Sequence, residues 1–222
     1  MPNWCSTGIT FYSENKKEIK MLKQRIVEIY NGPATQENGF GKGWLGDYAN
    51  KFYPEIGAEK IDCRGYIDYI DDTVRHVDRF YAFSISTETV WSAKIGLWYK
   101  ILKDFYPDVK LAFIAEECGC EYYVKWDETG LFYSHDYYVD ICYPAANGEI
   151  SYIDDHEFYS LEEICDWLKE NLPFEFEKKE NDGELEQEII SKLDECEDSD
   201  EYFCTIAKYA EIHPSAFDFK NI

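Results

Sequence analysis

The first thirteen residues, MPNWCSTGITFYS, hold no charged side chain, in a chain whose 45 Asp and Glu against 22 Lys and Arg give a formal net charge of −23. Within them Cys5, Thr7, Ile9 and Phe11 alternate with Trp4, Ser6, Gly8, Thr10 and Tyr12. A period of two is that of a strand. A strand without charge suits the middle of a sheet, covered on at least one face. The rest of the chain has to be arranged around it.

The segments that follow supply the partners. Residues 13–30 predict a helix, with Ser13 as N-cap, Glu14 in the first turn, and Ile19, Leu22, Ile26 and Ile29 at helical spacing. Asn31-Gly32-Pro33 stops it. Residues 34–63 are expected to be irregular, with Gly39, Gly41, Gly43 and Gly46 around Trp44 as a loop that packs an aromatic. Strands are predicted over 64–71 and 79–88. A second helix follows, with a stripe of Trp91, Ile95, Trp98, Leu102 and Phe105, and ends at Pro107. A strand, a tight Cys118-Gly119-Cys120 turn and a return strand come next, then one or two strands over 131–144. The order β-α-β-β-α-β, with strands added, predicts an α+β sheet carrying its helices on one face.

After Gly148 the character changes. Residues 149–160 predict an edge strand. Ser160 and Glu163 sit at capping-box spacing ahead of a helix with Leu161, Ile164, Trp167 and Leu168. Between 175 and 201 there are 13 acids and 3 Lys, with an amphipathic helix through Leu185, Ile189, Ile190 and Leu193. A last short helix is expected near 199–211. The chain thus reads as an α+β domain over 1–148 and an acidic, mainly helical extension over 149–222, packed on that core.

At 45% hydrophobic and 18% aromatic residues, the 222-residue chain can bury a sizeable core. It has no apolar run of roughly 18 residues and no basic leader, so a soluble, cytoplasmic protein is expected, with no membrane partner. The charge argues against direct nucleic-acid binding, because phosphate is repelled. A basic partner, or a surface that normally holds nucleic acid, is attracted instead. The eight cysteines are scattered, unlike a secreted disulfide scaffold, and are expected to stay reduced.

Candidate chemistry is sparse. Cys118, Cys120, Cys142 and His135 are zinc-ligand types, but Cys-x-Cys is not finger spacing and no second pair exists. No metal site, cofactor or catalytic residue is assigned. Asp68, Asp71 and Asp72, with Asp154 and Asp155, form two acidic clusters that read as solvated strand ends, or as carboxylates for acid–base work or a divalent cation. His76, His135, His156 and His213 are isolated, and Cys5 is a nucleophile only if a His lies near it in space. No P-loop, GxSxG, HExxH or EF-hand spacing appears.

Two sets of residues bear a resemblance. One is Asn3-Trp4-Cys5 running into a strand. The other is the stretch from Thr89-Val90-Trp91-Ser92 through a helix, a YPDVK turn, Glu116-Glu117, Gly119 and Gly130. They resemble the YubB-like family of plasmid and phage proteins over roughly residues 1–145. The family's Gly-Thr-Lys-Trp loop corresponds to Gly41-Lys42-Gly43-Trp44, and the prolines that often follow its Trp-Ser pair are replaced by Ala93-Lys94. The resemblance implies a ferredoxin-like domain of mobile-element origin and supplies no catalytic residues.

Two functions are expected from this reading. The first is a non-enzymatic accessory protein that binds a basic host protein, in its sharpest form a nucleic-acid mimic that blocks a nucleic-acid-binding defence protein. Its contact would be Glu184, Glu186, Glu188, Asp194, Glu195, Glu197 and Asp198. The second is a small-ligand binder or enzyme using a pocket lined by Trp4, Trp44 and Trp91 with acidic strand ends. Structural packing is the competing role of the three Trp, and a solvated helical cap that of the acidic run.

Overall fold

The computed structural model describes residues 3–144, 150–153, 158–196 and 202–217. They fall into two compact units. One runs to Tyr133 and resumes at Glu211; the other is Ser134–Ala210.

The first unit is built on β1 (Trp4–Ser13), flanked on both sides as its lack of charge requires. In chain order follow α1 (Lys16–Asn31), α2 (Leu45–Phe52), β2 (Gly65–Ile70), β3 (Arg75–Val77), β4 (Phe80–Val90), α3 (Ile95–Phe105), β5 (Lys110–Glu117) and β6 (Tyr122–Trp126). The sheet order is β6-β5-β1-β4-β2, with β3 also pairing β4, and the pairings among these strands are antiparallel. The predicted alternation holds. Cys5, Ile9 and Phe11 point into the core beside Phe83 and Ile85 of β4 and Leu111 and Phe113 of β5. Against them lie Ile19, Leu22 and Ile26 of α1, Tyr48 of α2, and Trp98 and Ile101 of α3. Phe11 stacks on Phe83 at 5.1 Å between centroids and meets the Trp98 edge at 5.6 Å.

Three expectations for this unit are corrected. The N-cap of α1 is Asn15, whose Oδ1 accepts from the Lys17 and Glu18 N–H groups. Ser13 remains in β1, donating to the Asp108 carbonyl at 2.8 Å. The glycine-rich stretch contains α2, because Leu45, Tyr48 and Ala49 recur at i, i+3 and i+4 and are all buried. Its Asp47 fastens the preceding loop by accepting from the Thr35 N–H and hydroxyl, each at 2.7 Å. Finally, α3 starts at Ile95, so Trp91 lies outside the helix.

At one end the outer face of the sheet is covered from within this unit. Tyr12, Phe80, Ala82 and Ala112 carry Phe132 and Tyr133 there. The Asp127 carboxylate organises the covering turn by accepting from the N–H groups of Thr129, Phe132 and Tyr133 and from the Thr129 hydroxyl. Those bonds hold its carboxyl below the ordinary value, although burial pushes the other way. The Tyr133 hydroxyl lies 3.1 Å from Thr10 Oγ1, and a Cβ at position 8 would stand 3.1 Å from that hydroxyl, so Gly8 gives the ring its seat.

The second unit holds a three-stranded antiparallel sheet, order β8-β7-β9, of β7 (Tyr137–Pro144), β8 (Ile150–Ile153) and β9 (Phe203–Lys208). Two helices accompany it, α4 (Leu161–Asn171) and α5 (Asp182–Leu193). The expected edge strand is β8. The expected final helix is instead β9. Cys204 and Ile206 are buried while Phe203, Thr205 and Ala207 face outward, a period of two that excludes a helical stripe. The region therefore holds strands beside its helices. Its core joins Val139 and Ile141 to Ile164 and Leu168 of α4 and to Leu185, Ile189 and Leu193 of α5. Ser160 caps α4 as expected, accepting from the Glu163 N–H at 3.2 Å, while the Glu163 carboxylate reaches back to the Tyr159 N–H at 2.9 Å. No described helix is long and apolar enough to cross a membrane.

Candidate functional site

The start of β1 and the ends of β4 and β5 lie together, because β1 runs antiparallel to both. Asn3, Cys5, Thr89, Trp91, Ser92, Glu117 and Gly119 therefore meet at one end of the sheet, while the YPDVK turn and Gly130 lie towards the other. Thr89 Oγ1 donates to the Ser92 carbonyl at 2.9 Å and lies 3.3 Å from the Cys5 carbonyl. The Trp91 N–H donates to the Asn3 carbonyl at 3.1 Å. Glu117, 4% exposed, accepts from the Gly119 N–H through Oε1, and its Oε2 has no hydrogen-bond partner among the described residues. Gly119 is confined by Asn3, since a Cβ there would stand 2.5 Å from Asn3 Nδ2. Cys5 is buried in this knot. Burial, aided by the Glu88 and Glu117 charges and opposed by the Thr7 and Thr89 hydroxyls, pushes its thiol up to about 11. At neutral pH it is a protonated packing group rather than a nucleophile.

Above the knot the outer face is open. The register sets Tyr66, Glu88, Ser6 and Glu116 in one row across four strands. Ser6, directly opposite Glu88 in the register, acts to lower the Glu88 carboxyl. Partial burial and the Asp68 charge nevertheless raise Glu88 above the ordinary carboxyl value. Burial, Glu88 and Asp68 likewise raise Tyr66. Trp4, 43% exposed, meets Tyr66 and Phe40 edge to ring at 5.8 and 6.1 Å. Tyr69 is 53% exposed on the neighbouring stretch of β2. Trp91 is 49% exposed and holds φ +68, the left-handed region that bulky residues avoid. Aromatic rings beside half-buried carboxylates form an environment that attracts cations through both ring quadrupole and charge.

The three candidate Trp thus take different places. Trp4 and Trp91 are at the surface, whereas Trp44 is 7% exposed. Residue 44 bridges to Tyr66 through the backbone, and its indole lies over Gly46, where a Cβ would come within 2.1 Å of the ring. The glycine-rich loop does pack an aromatic, for which position 46 has to lack a side chain. The part sequence reasoning missed is the companion set Phe40, Tyr66 and Glu88, which register alone brings to Trp4.

On α5, Glu184 is exposed and Glu186 and Glu188 half-buried; just past its end, Asp194 and Glu195 are exposed. Lys179 pairs with Glu188 at 3.5 Å and Lys192 with Glu195 at 3.7 Å, so part of this charge is compensated locally. Glu197, Asp198, Asp154, Asp155 and His156 lie outside the described residues. Asp71 is structural: just after β2, it accepts from the Ser84 N–H of β4 at 2.7 Å and pairs with Arg75 of β3. Cys118 and Cys120 occupy a short 3-10 turn, as expected, with Cys120 Sγ 3.7 Å from Asn3 Nδ2. Cys142 and His135 belong to the second unit. Among the described residues no group of three or more His, Cys, Asp or Glu is placed to hold a metal ion, and no disulfide forms among the eight cysteines.

Comparison of the chain with family models, with curated proteins and with solved structures gives no match.

Proposed function

We propose that this protein is a non-enzymatic binding protein whose open sheet face takes a basic polypeptide. The observation that carries the reading is the set of Trp4, Tyr66 and Tyr69 on that face beside Glu88 and Asp68, in a chain of net charge −23. An Arg or Lys side chain entering there gains ring and carboxylate contacts together. Nucleic acid, which an exposed aromatic sheet would otherwise suit, is repelled by the same carboxylates.

The order β5-β1-β4-β2, with α1 and α3 as the two crossovers, supports a ferredoxin-like core. The resemblance of residues 1–145 supports a plasmid or phage origin and, with the charge, an accessory role in the cytoplasm. Inhibition of a host protein that normally holds nucleic acid is the sharpest form of this reading. The contact is placed on the sheet face rather than α5 because carboxylates on and just after α5 are partly ion-paired.

The test is a titration with a fluorescein-labelled Arg-rich peptide, comparing wild type, Trp4→Ala, Glu88→Gln, and an α5 variant with Glu184, Glu188, Asp194 and Glu195 neutralised. Trp4→Ala and Glu88→Gln are each expected to weaken binding about tenfold, at roughly 1.4 kcal/mol per decade, with the α5 variant nearer wild type. Loss confined to the α5 variant would move the contact there. Equal affinities throughout would leave only bulk charge and overturn the reading.

A further inference from the structure

The first unit also holds a cavity of about 740 Å³ at the end of β1 opposite Trp4, within the size range of small-molecule sites. The end of β1, the tip of the β3–β4 hairpin, the α3–β5 turn and the turn after β6 line it. Each of these segments is fixed. Ser13 Oγ donates to the Asp108 carbonyl at 2.8 Å and accepts the Asn15 N–H at 3.0 Å, which ties the α3–β5 turn to β1. Val77 pairs with Phe80, so Asp78 and Arg79 form a two-residue hairpin turn, with Asp78 at φ +51. The turn after β6 is the one that Asp127 organises.

The charges of the lining do not cancel. Both of its cations are engaged, Arg79 by Glu14 at 3.2 Å and Lys110 by Glu128 at 2.8 Å. Asp78 and Asp108 are left over, exposed and without an ion pair among the described residues. Beside them lie two buried rings, Tyr12 and Phe80, 5.1 Å apart between centroids. The Tyr12 hydroxyl is buried and has no hydrogen-bond partner among the described residues. Burial, then the Glu128 and Asp127 charges, push it up, so at neutral pH it keeps its proton and its oxygen is free to accept. The chain's own Arg79 illustrates how a cation is held here: its guanidinium stands 4.9 Å from the Phe80 ring centroid while it pairs with Glu14. We infer that this cavity binds a small arylalkyl ammonium ion, with Asp78, Asp108 and the Tyr12 hydroxyl taking the charged head and the Tyr12 and Phe80 rings the apolar body. The site is separate from the basic-partner face, which lies at the other end of β1.

The probe pair is phenethylamine, a cation at neutral pH, and its neutral isostere 2-phenylethanol, titrated into the full chain by calorimetry. The amine is expected to bind at one site, at least tenfold more tightly than the alcohol. Asp78→Asn with Asp108→Asn is expected to weaken the amine about fivefold or more and to leave the alcohol unchanged. Both carboxylates are exposed, and Asn tolerates the left-handed turn at position 78, so folding is not at stake. Tyr12→Phe, which keeps the ring and removes the hydroxyl, is expected to weaken the amine about threefold. Glu55→Gln with Glu59→Gln removes equal charge elsewhere, and Trp4→Ala disables the basic-partner face. Each is expected to leave amine binding within twofold, so the two sites stand or fall separately. No amine binding, equal affinity for amine and alcohol, an unchanged Asp or Tyr12 variant, or the same loss in either control would each overturn the inference.

Discussion

Trp91 adopts a backbone conformation that its side chain disfavours. Its φ of +68 places a bulky residue in the left-handed region, at a cost of about 1–2 kcal/mol. Its N–H is held by the Asn3 carbonyl, so the strand ends over-determine the turn. Strain of this kind persists where something requires it, and the indole it presents stands half-exposed. Replacing Trp91 by Ala or by Gly removes the same indole, so their difference isolates the backbone. Trp91→Gly is expected to be more stable than Trp91→Ala by about 1 kcal/mol, the reverse of the usual order in regular structure. Urea denaturation of the two variants measures it. Asp127 offers a second test, through pH. Its folded value is depressed by four hydrogen bonds, so its stabilisation is present above the unfolded value near roughly pH 4 and is lost as pH falls through the folded value. Asp127→Asn is expected to cost about 1–3 kcal/mol at pH 7. Its gap from wild type should hold above about pH 4 and narrow as pH falls from there through the folded value, which urea midpoints along a descending pH series will show.

Among the elements, α4 rests on a cap that can be removed cleanly. Ser160→Ala leaves the Glu163 N–H without its acceptor and is expected to lower stability by about 1 kcal/mol, read from the denaturation midpoint. That cap was legible because its signal is local: Ser and Glu at fixed spacing ahead of an apolar stripe. The same holds for β1, α1 and the Cys118–Cys120 turn, whose periods or turn residues stand in a few consecutive positions. Where two local signals compete, the reading fails. In α2, three apolar residues at helical spacing are outvoted by Gly39, Gly41 and Gly43 before the helix and Gly46 within it, and burial of Leu45, Tyr48 and Ala49 decides for the helix. In β9, Cys204 and Ile206 alternate within a region whose acidic helix colours the whole stretch. The candidate face lies beyond local reading altogether. Glu88 reaches Ser6, and Trp4 reaches Tyr66, only through pairings between strands far apart in sequence. His213 is isolated in the sequence and acquires its place on Trp126 only because the chain returns to the first unit at Glu211. Trp44 was visible as a packed aromatic, yet its separation from exposed Trp4 and Trp91 depends on Gly46, whose missing side chain admits the indole.

At the scale of the whole molecule the net charge of −23 acts twice, with opposite signs. It repels itself, which opposes folding, and it attracts a basic partner. Several compensating ion pairs among the described residues are exposed on both sides, such as Lys110–Glu128 and Lys178–Glu162, and pairs of that kind contribute little. The residual repulsion is therefore carried by solvent-exposed carboxylates, which salt screens well. The Debye length falls from about 30 Å at 0.01 M to about 3 Å at 1 M. Between those limits in NaCl, the thermal midpoint is expected to rise by several degrees, on the scale of roughly 2–4 °C per kcal/mol for a chain of this size. Over the same range, affinity for the Arg-rich peptide is expected to fall at least tenfold. Measured together by differential scanning fluorimetry and by the peptide titration, the two trends separate the causes. A falling midpoint would mean that ion pairs, not repulsion, dominate the folded state. A peptide affinity that ignored salt would assign binding to aromatic contact alone, and Trp4→Ala would then abolish it while Glu88→Gln left it intact.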